Sequence, residues 1–479
     1  MFSRLDPTKA SFCSAVAESL IAVPGVYSVT FTGSFVENVG FSGIGDIDVV
    51  AIVQHMDATT YESCRAAIAA IRPELHSLPR RRLIINDTFG PLKFDVDEAM
   101  VVHLMIYDRN GHRDHVLRSP FTCFDWERSP YHVGASLREI YPTLTLQPRH
   151  FREARRGLAS YLEDLAAGCI SYRRYVFADD HVSEQVERMP LNLRQKGEFA
   201  YHIVRNLVGN YAKLILHDNI RLETQAMLEF WRCYLPITAQ FGPWFLELER
   251  RKRTHAIEFP STTLKRAKEF LEAVSDELDG VWQRQATKHL FSRHARTALN
   301  NGSFLGQRRD PEICERPAPL EQTPLFVFTS PSLRCRQTAS WLAPGCPLIV
   351  DARLHEIDYG QAEGLGPDEV IAQFPRLLEA WSRGDDPFFP QGENTAAVAA
   401  RLNAFLADLP ETPSLVVTHN VVLRCLLGAG LGVPVALWHR IPVAHGELVE
   451  VLRYKGQTFL NLTQRQIERV ADAISGYEQ

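Results

Sequence analysis

Residues Leu290–Thr297 read LFSRHART, an arginine and a histidine side by side after a short apolar run. Such a pair alone says little. Its position says more: the preceding KHLF reads as a short strand, so Arg293 and His294 stand at a strand's carboxyl end, where α/β sheets build their sites. From Arg284 onward, strand-like and helix-like stretches alternate to the end of the chain, which predicts a mostly parallel α/β sheet.

Four later stretches fit one chemical plan. VFTSPSLRCRQTA reads as strand, turn and a helix carrying Arg334; LHEIDYGQAEGL places Glu356 between an apolar residue and a turn. PQGENTAAVAARL opens a helix, and SLVVTHNVVLRCLL is a buried strand that ends at His419 and enters a helix. A phosphoryl group in transfer spreads negative charge over its oxygens, which arginine's planar fork suits. A neutral imidazole can attack phosphorus, and a carboxylic acid can protonate the leaving oxygen.

In this order the residues resemble the histidine phosphatase superfamily, the phosphoglycerate-mutase-like group, over about residues 286–475. The family's opening Arg-His-Gly-Glu-Thr, with an asparagine three residues on, stands here as Arg293, His294, Ala295, Arg296, Thr297 and Asn300. The resemblance implies a three-layer α/β/α domain that needs no cofactor. It makes His294 the nucleophile, Arg293 and Arg334 the phosphate clamp and Glu356 the proton donor, with His419 completing the pocket. Two positions depart from the motif. Ala295 adds a methyl where glycine lets backbone approach phosphate, and Arg296 adds charge at the rim, pointing to a strongly anionic substrate. The segment between Glu356 and His419 resembles the broad phosphatase branch, without the longer insertion usual in mutases, so hydrolysis of a phosphomonoester is expected.

A second signal lies in TGSFVENVGFSGIGDIDVVAIV, Thr32–Val53. Gly33 and Ser34 follow a strand, and Asp46 and Asp48 open another. Residues two apart on a strand share a face. Two adjacent carboxylates repel unless cations neutralise them, so the pair implies Mg²⁺, and the Gly-Ser turn offers donors to a triphosphate. This resembles the polymerase-β-like nucleotidyltransferases over about residues 20–110, with Asp46 and Asp48 catalytic and metal-binding and Gly33 and Ser34 nucleotide-binding. The family adds a third acid: Asp95 is the first candidate, with Asp97 or Asp108 as alternatives. His103 reads as a strand histidine satisfied by a partner.

Strands are expected at Tyr27–Gly33, Asp46–Val53 and Ala99–Asp108, with helices over 6–23 and 58–72. The pattern turns helical from about 148 to 285, with Phe199, Ile203, Leu207, Tyr211 and Leu214 forming one stripe. His202, Arg205 and Asn206 share a face of that helix and read as an ordinary polar surface. The fold class is thus α/β and α+β multidomain: a small mixed-sheet nucleotidyltransferase head over 1–125, a helical block over 126–285 completing its acceptor site, and a histidine phosphatase domain over 286–479.

A chain of 479 residues exceeds one core, and 45% hydrophobic with 23% charged residues is ordinary globular composition. A net charge of −5 leaves no overall footprint for nucleic acid, although basic runs occur at Arg72–Arg82 and Glu249–Arg253. Nine cysteines without a CxxC pair point to reduced thiols in a cytoplasm. The first twenty residues lack signal-peptide order, and the apolar stretch Ser414–Val433 is broken by His419, Asn420 and Arg424, so no membrane span is expected. The expected partners are an NTP with a small-molecule acceptor and a phosphomonoester, while oligomeric state is left open. The leading expectation is a bifunctional enzyme that takes a small phosphorylated metabolite or sugar as substrate, its two reactions being consecutive steps on one metabolite or the second removing an inhibitory product. Alternatives are nucleotidyl modification of RNA or protein, and a nucleotide or phospho-ligand sensor with one inactive domain.

Overall fold

The computed structural model describes residues 2–38, 40–41, 46–78, 82–90, 99–178, 181–254, 256, 258–322 and 324–476. The chain divides into two compact units, Met1–Leu278 and Asp279–Gln479. The head and the middle block therefore form one unit, and the stretch 279–285 goes with the second.

The sheet of the first unit runs β3-β4-β2-β1-β5, with β1 Val26–Thr32, β2 Asp46–Val53, β3 Arg82–Asn86, β4 Ala99–Asp108 and β5 His132–Gly134. Strands β2, β3 and β4 are mutually parallel, and β1 is antiparallel to both of its neighbours. Alternation divides the faces. Ile47, Val49, Ala51 and Val53 of β2 and Val102, Leu104 and Ile106 of β4 point into a core with Phe12, Val16 and Leu20 of the helix Pro7–Ile21 and Cys64 and Ile68 of the helix Ala58–Ala69. Asp46, Asp48, His103, Met105 and Tyr107 take the other face and floor a cavity of about 1430 Å³.

Beyond the head, the helix Leu193–Leu216 starts at a reciprocal cap between Asn192 and Gln195 and buries Phe199, Ile203, Leu207, Tyr211 and Leu214. Helices Thr224–Tyr234, Gly242–Arg253 and Thr263–Asp279 complete the block. The block is not wholly helical. Strands β6, Cys169–Ala178, and β7, His181–Pro190, pair antiparallel along their full length. Their residues are mostly half-buried or exposed, so the ribbon lacks the apolar run that marks a core strand. Cross-strand polar pairs hold it: Arg173 Nη1 to Glu184 Oε2 at 2.6 Å and Tyr172 Oη to Glu187 Oε2 at 2.6 Å.

The second unit is a three-layer α/β fold. Its sheet runs β10-β9-β11-β8-β12-β13, with β8 Thr287–Arg293, β9 Phe326–Thr329, β10 Leu348–Val350, β11 Ser414–Thr418, β12 Leu448–Tyr454 and β13 Gln457–Leu460. Strands β8 to β11 are parallel, while β12 and β13 close the edge antiparallel. Val327, Leu415 and Val417 pack on Cys335, Ala339 and Leu342 of the helix Leu333–Leu342. Among the described residues, no helix is long and apolar enough to cross a membrane. All nine cysteines are free thiols.

Glu127, which ends the helix Pro120–Trp126, accepts the Thr143 backbone N–H, and burial raises its pKa from 4.5 to about 7. A carboxyl with a raised folded-state pKa contributes full stability below its unfolded value and loses it as pH climbs through the folded one. Glu127→Gln is therefore expected to raise the melting temperature at pH 8 by at least about 2 °C and to leave it unchanged at pH 4, as followed by circular dichroism.

Candidate functional site

In the second unit, β8 and β11 pair in parallel with Arg293 opposite Thr418, and the His294 N–H donates to Thr418 O at 2.9 Å. One residue further along each chain stand His294 and His419, with ring centroids 5.3 Å apart. His294 Nδ1 faces the Ala295 carbonyl oxygen at 2.8 Å. A carbonyl only accepts, so Nδ1 carries the proton and Nε2 keeps its lone pair. Arg334 Nη2 donates to His419 Nδ1 at 3.2 Å, which puts the His419 proton on Nε2, aimed at Ser330 Oγ at 2.8 Å.

Arg334 is fully buried at the start of its helix, donating also to Gly306 O at 2.8 Å and Arg309 O at 3.1 Å. Arg293 Nη1 donates to Val443 O at 2.7 Å. The Nε atoms of both arginines are buried without a hydrogen-bond partner among the described residues, two spare cationic donors beside His294. Glu356 accepts from the N–H groups of Ile357, Asn420 and Val421 at 3.0 to 3.1 Å, the last two opening the helix Asn420–Gly430. Burial raises its pKa despite those donors and the two arginines. Burial pushes His294 and His419 well below the ordinary imidazole value, with Arg334 adding to both. The pocket thus pairs neutral imidazoles with a carboxyl inclined to hold its proton.

All five residues expected from sequence meet here. Ala295 has no positive φ, and its N–H donates to Thr338 Oγ1 at 2.9 Å, so the methyl causes no backbone strain. Arg296 is exposed, while Thr297 N and Oγ1 both donate to Asn300 Oδ1. Three further residues escaped the sequence reading. Ser330 follows β9 directly, a strand-end signal that could have found it. Arg401 donates to the Glu356 carbonyl at 3.0 Å. His445 Nδ1 donates to His294 O at 3.0 Å, its ring 5.3 Å from that of His294. It arrives because β12 runs antiparallel, so the start of β12 meets the end of β8.

In the first unit, Asp46, Asp48 and His103 offer ligand atoms within 4.8 Å of one another. The β2–β4 register sets Asp48 opposite His103. His103 Nε2 faces Thr88 O at 2.7 Å and Nδ1 faces Asp48 Oδ1 at 2.9 Å. Both partners accept, so both ring nitrogens carry protons: His103 is an imidazolium that orients Asp48, as a strand histidine satisfied by partners. Burial alone would depress its pKa, but the bond and charge of Asp48, with Asp46, raise it.

Gly33 has φ +74°, and a Cβ there would stand 2.2 Å from Asp48 Oδ2. Glycine is thus required where the turn meets the carboxylate. Ser34 opens the one-turn helix Ser34–Glu37. The turn is tied down by buried Lys9, whose Nζ donates to Phe35 O and Asn38 O at 2.7 Å and Gly40 O at 2.9 Å. Of the third-acid candidates, Asp95 and Asp97 lie outside the described residues. Asp108 does not join the cluster: it pairs in register with Val53, five residues past Asp48, and caps the helix Arg109–Arg118 through the Gly111 N–H. His202, Arg205 and Asn206 line the cavity, and Asn206 Nδ2 contacts His202 Nε2 at 2.9 Å.

Residues 289–465 match the model of the histidine phosphatase superfamily, branch 1. A glucosyl-3-phosphoglycerate phosphatase of Mycobacterium tuberculosis is 30% identical over 178 residues, 32% of this chain and 79% of that protein. The chain belongs to the histidine phosphatase superfamily. A probable phosphoglycerate mutase of Klebsiella pneumoniae is 34% identical over 140 residues, 27% of this chain; the chain spans 62% of that relative's length. Among solved structures, a mycobacterial glucosyl-3-phosphoglycerate phosphatase is 26% identical with a TM-score of 0.33, covering 37% of this chain and 98% of its own.

Gly33→Ala is expected to destabilise the first unit by more than about 1 kcal/mol, since alanine at positive φ adds strain to the clash with Asp48. Ala295→Gly is expected to leave the second unit's stability within about 1 kcal/mol. Urea melts of both variants check the pair.

Proposed function

We propose that the chain is a bifunctional enzyme: the second unit hydrolyses a small phosphomonoester through a phosphohistidine, and the first transfers a nucleotidyl group. The meeting of His294, His419, Arg293, Arg334 and Glu356 at two adjacent strand ends carries the first half. His294 Nε2 attacks phosphorus as the P–O bond to the leaving group breaks, and Glu356 delivers its proton to the departing oxygen. The arginines and His419 hold the charged oxygens. Water then attacks the phosphohistidine, returning a proton to Glu356 and releasing phosphate. Similarity to a glucosyl-3-phosphoglycerate phosphatase, which the chain covers over more of its length than the mutase relative, supports a small anionic substrate and hydrolysis.

The Asp46–Asp48 pair against the Gly33 turn, at the floor of a wide cavity, carries the second half. These two carboxylates would hold Mg²⁺, which supplies charge neutralisation to a bound triphosphate. His103 fixes the Asp48 carboxylate, and the Gly33–Ser34 turn presents donors to phosphate. An acceptor hydroxyl oxygen attacks the α-phosphorus as the bond to the bridging oxygen of the β-phosphate breaks, pyrophosphate leaves, and the hydroxyl proton passes to water. The acceptor is a small metabolite or sugar.

His294→Ala is expected to abolish phosphate release from an aryl phosphate, and Asp48→Ala to abolish Mg²⁺-dependent pyrophosphate release from NTPs without affecting the phosphatase. Retained release in either variant overturns that half. The phosphatase needs Glu356 protonated and the imidazoles neutral. Its rate is therefore expected to persist into mildly acidic pH and to fall as pH rises through the elevated Glu356 pKa. Glu356→Gln is expected to remove that alkaline limb and lower kcat about 10²- to 10⁴-fold, read from a pH–rate profile.

A further inference from the structure

The cavity floor continues past the carboxylates. His103, Met105 and Tyr107 alternate onto it along β4, which puts Tyr107 ~13 Å beyond His103. That is farther than a triphosphate chain extends. Two cavity-lining arginines approach Tyr107 and His115: Arg155 ahead of the helix Leu158–Ala167, and Arg173 on β6; Arg118, exposed at the end of the helix Arg109–Arg118, lines the same cavity within charge range of Arg155.

The Arg155 backbone N–H donates to the Arg118 backbone carbonyl at 3.0 Å. Arg173 Nη1 reaches Glu184 Oε2 at 2.6 Å, and Arg155 Nη1 lies 3.2 Å from the same oxygen without hydrogen-bond geometry. Two guanidiniums thus share one carboxylate, and no carboxylate among the described residues pairs with Arg118. The buried Tyr107 hydroxyl and His115 Nε2 have no hydrogen-bond partner among the described residues, although both residues line the cavity. The His115 ring stacks on Tyr107 with centroids 5.1 Å apart, and its Nδ1 lies 3.4 Å from Arg173 Nη2. Burial and then Arg173 and Arg155 hold His115 neutral, so it adds a donor without adding charge. Leaving such groups buried and unsatisfied is unfavourable unless a ligand meets them.

Two guanidiniums sharing one carboxylate, with a third arginine on the same cavity wall and unused neutral donors beside them, suit a compact dianion with several acceptor oxygens. A phosphate monoester has that form. We infer that Arg118, Arg155, Arg173, Tyr107 and His115 form an anion subsite that holds the phosphate monoester of the nucleotidyl acceptor, at the opposite end of the cavity floor from Asp46 and Asp48. The acceptor role rests on the nucleotidyl-transfer reading; the anion site itself does not. The same class of group is what the second unit is proposed to remove. The acceptor therefore comes from a phosphorylating step, and its nucleotidylated product is open to dephosphorylation.

The test is calorimetric titration of inorganic phosphate into the full chain carrying Arg334→Ala, which disables the phosphatase clamp, with EDTA present. One site is expected. Adding Arg118→Ala is expected to weaken it at least tenfold. Adding Glu184→Gln, which removes the competing carboxylate, is expected to tighten it several-fold, a gain that misfolding cannot mimic. No binding, or binding unmoved by either substitution, overturns the subsite. Repeating the titration with saturating NTP and Mg²⁺ separates the two sources of phosphate: retained binding supports the acceptor, whereas competition assigns the arginines to the nucleotide and overturns the proposal. Phosphate binding in a chain that never releases pyrophosphate leaves the subsite standing and defeats only the transfer reaction.

Discussion

Parallel pairing of neighbouring strands in fixed register is the constraint on which both candidate sites depend. In the second unit the β8–β11 ladder puts Arg293 beside Thr418, so the next residue of each chain, His294 and His419, emerges at the same edge. In the first, the β2–β4 ladder puts Asp48 beside His103. A slip by one residue would turn every side chain of a strand to the opposite face. The apolar residues alternating with Asp46, Asp48 and His103 fill the head's core, so burying Ile47, Val49 and Val102 keeps the polar trio on the cavity side.

Gathering charge at buried strand ends is costly unless each group has a partner. Each site meets the cost differently. Around His294, backbone carbonyls and the Asp310 carboxylate take up the arginine donors and backbone N–H groups take up Glu356, while both imidazoles remain neutral. Around Asp48 a charged histidine does the balancing, held from behind by the Thr88 carbonyl, while Lys9 pins the neighbouring turn through three backbone oxygens. Near Tyr107, Arg155 and Arg173 share the single carboxylate of Glu184.

Much of the second site was legible because Arg293, His294 and His419 stand at strand ends next to apolar runs, a local pattern, while Arg334 and Glu356 were placed by the family resemblance. The departures at Ala295 and Arg296 proved harmless to the geometry: one adopts ordinary backbone and the other faces solvent. The β6–β7 ribbon was not legible, since a half-buried two-stranded ribbon carries no strong apolar period and its partner residues, such as Arg173 and Glu184, are matched only across the hairpin. Arg401 and His445 were hidden for a related reason: each acts on the site from an element that packs against it.

The amino-acid sequence by itself determined where the apolar core strands β1, β2, β4, β8, β9 and β11 lie and which polar groups stand at their ends, because those follow from local periodicity and residue chemistry. It also determined that glycine stands at position 33. Tertiary structure alone decided that Asp48 fills the space a side chain there would need, that His103 turns toward Asp48, and that Arg155 and Arg173 share Glu184 near Tyr107. Those outcomes depend on strand order and on which elements cover the sheet, and such long-range pairings leave no periodic trace along the chain.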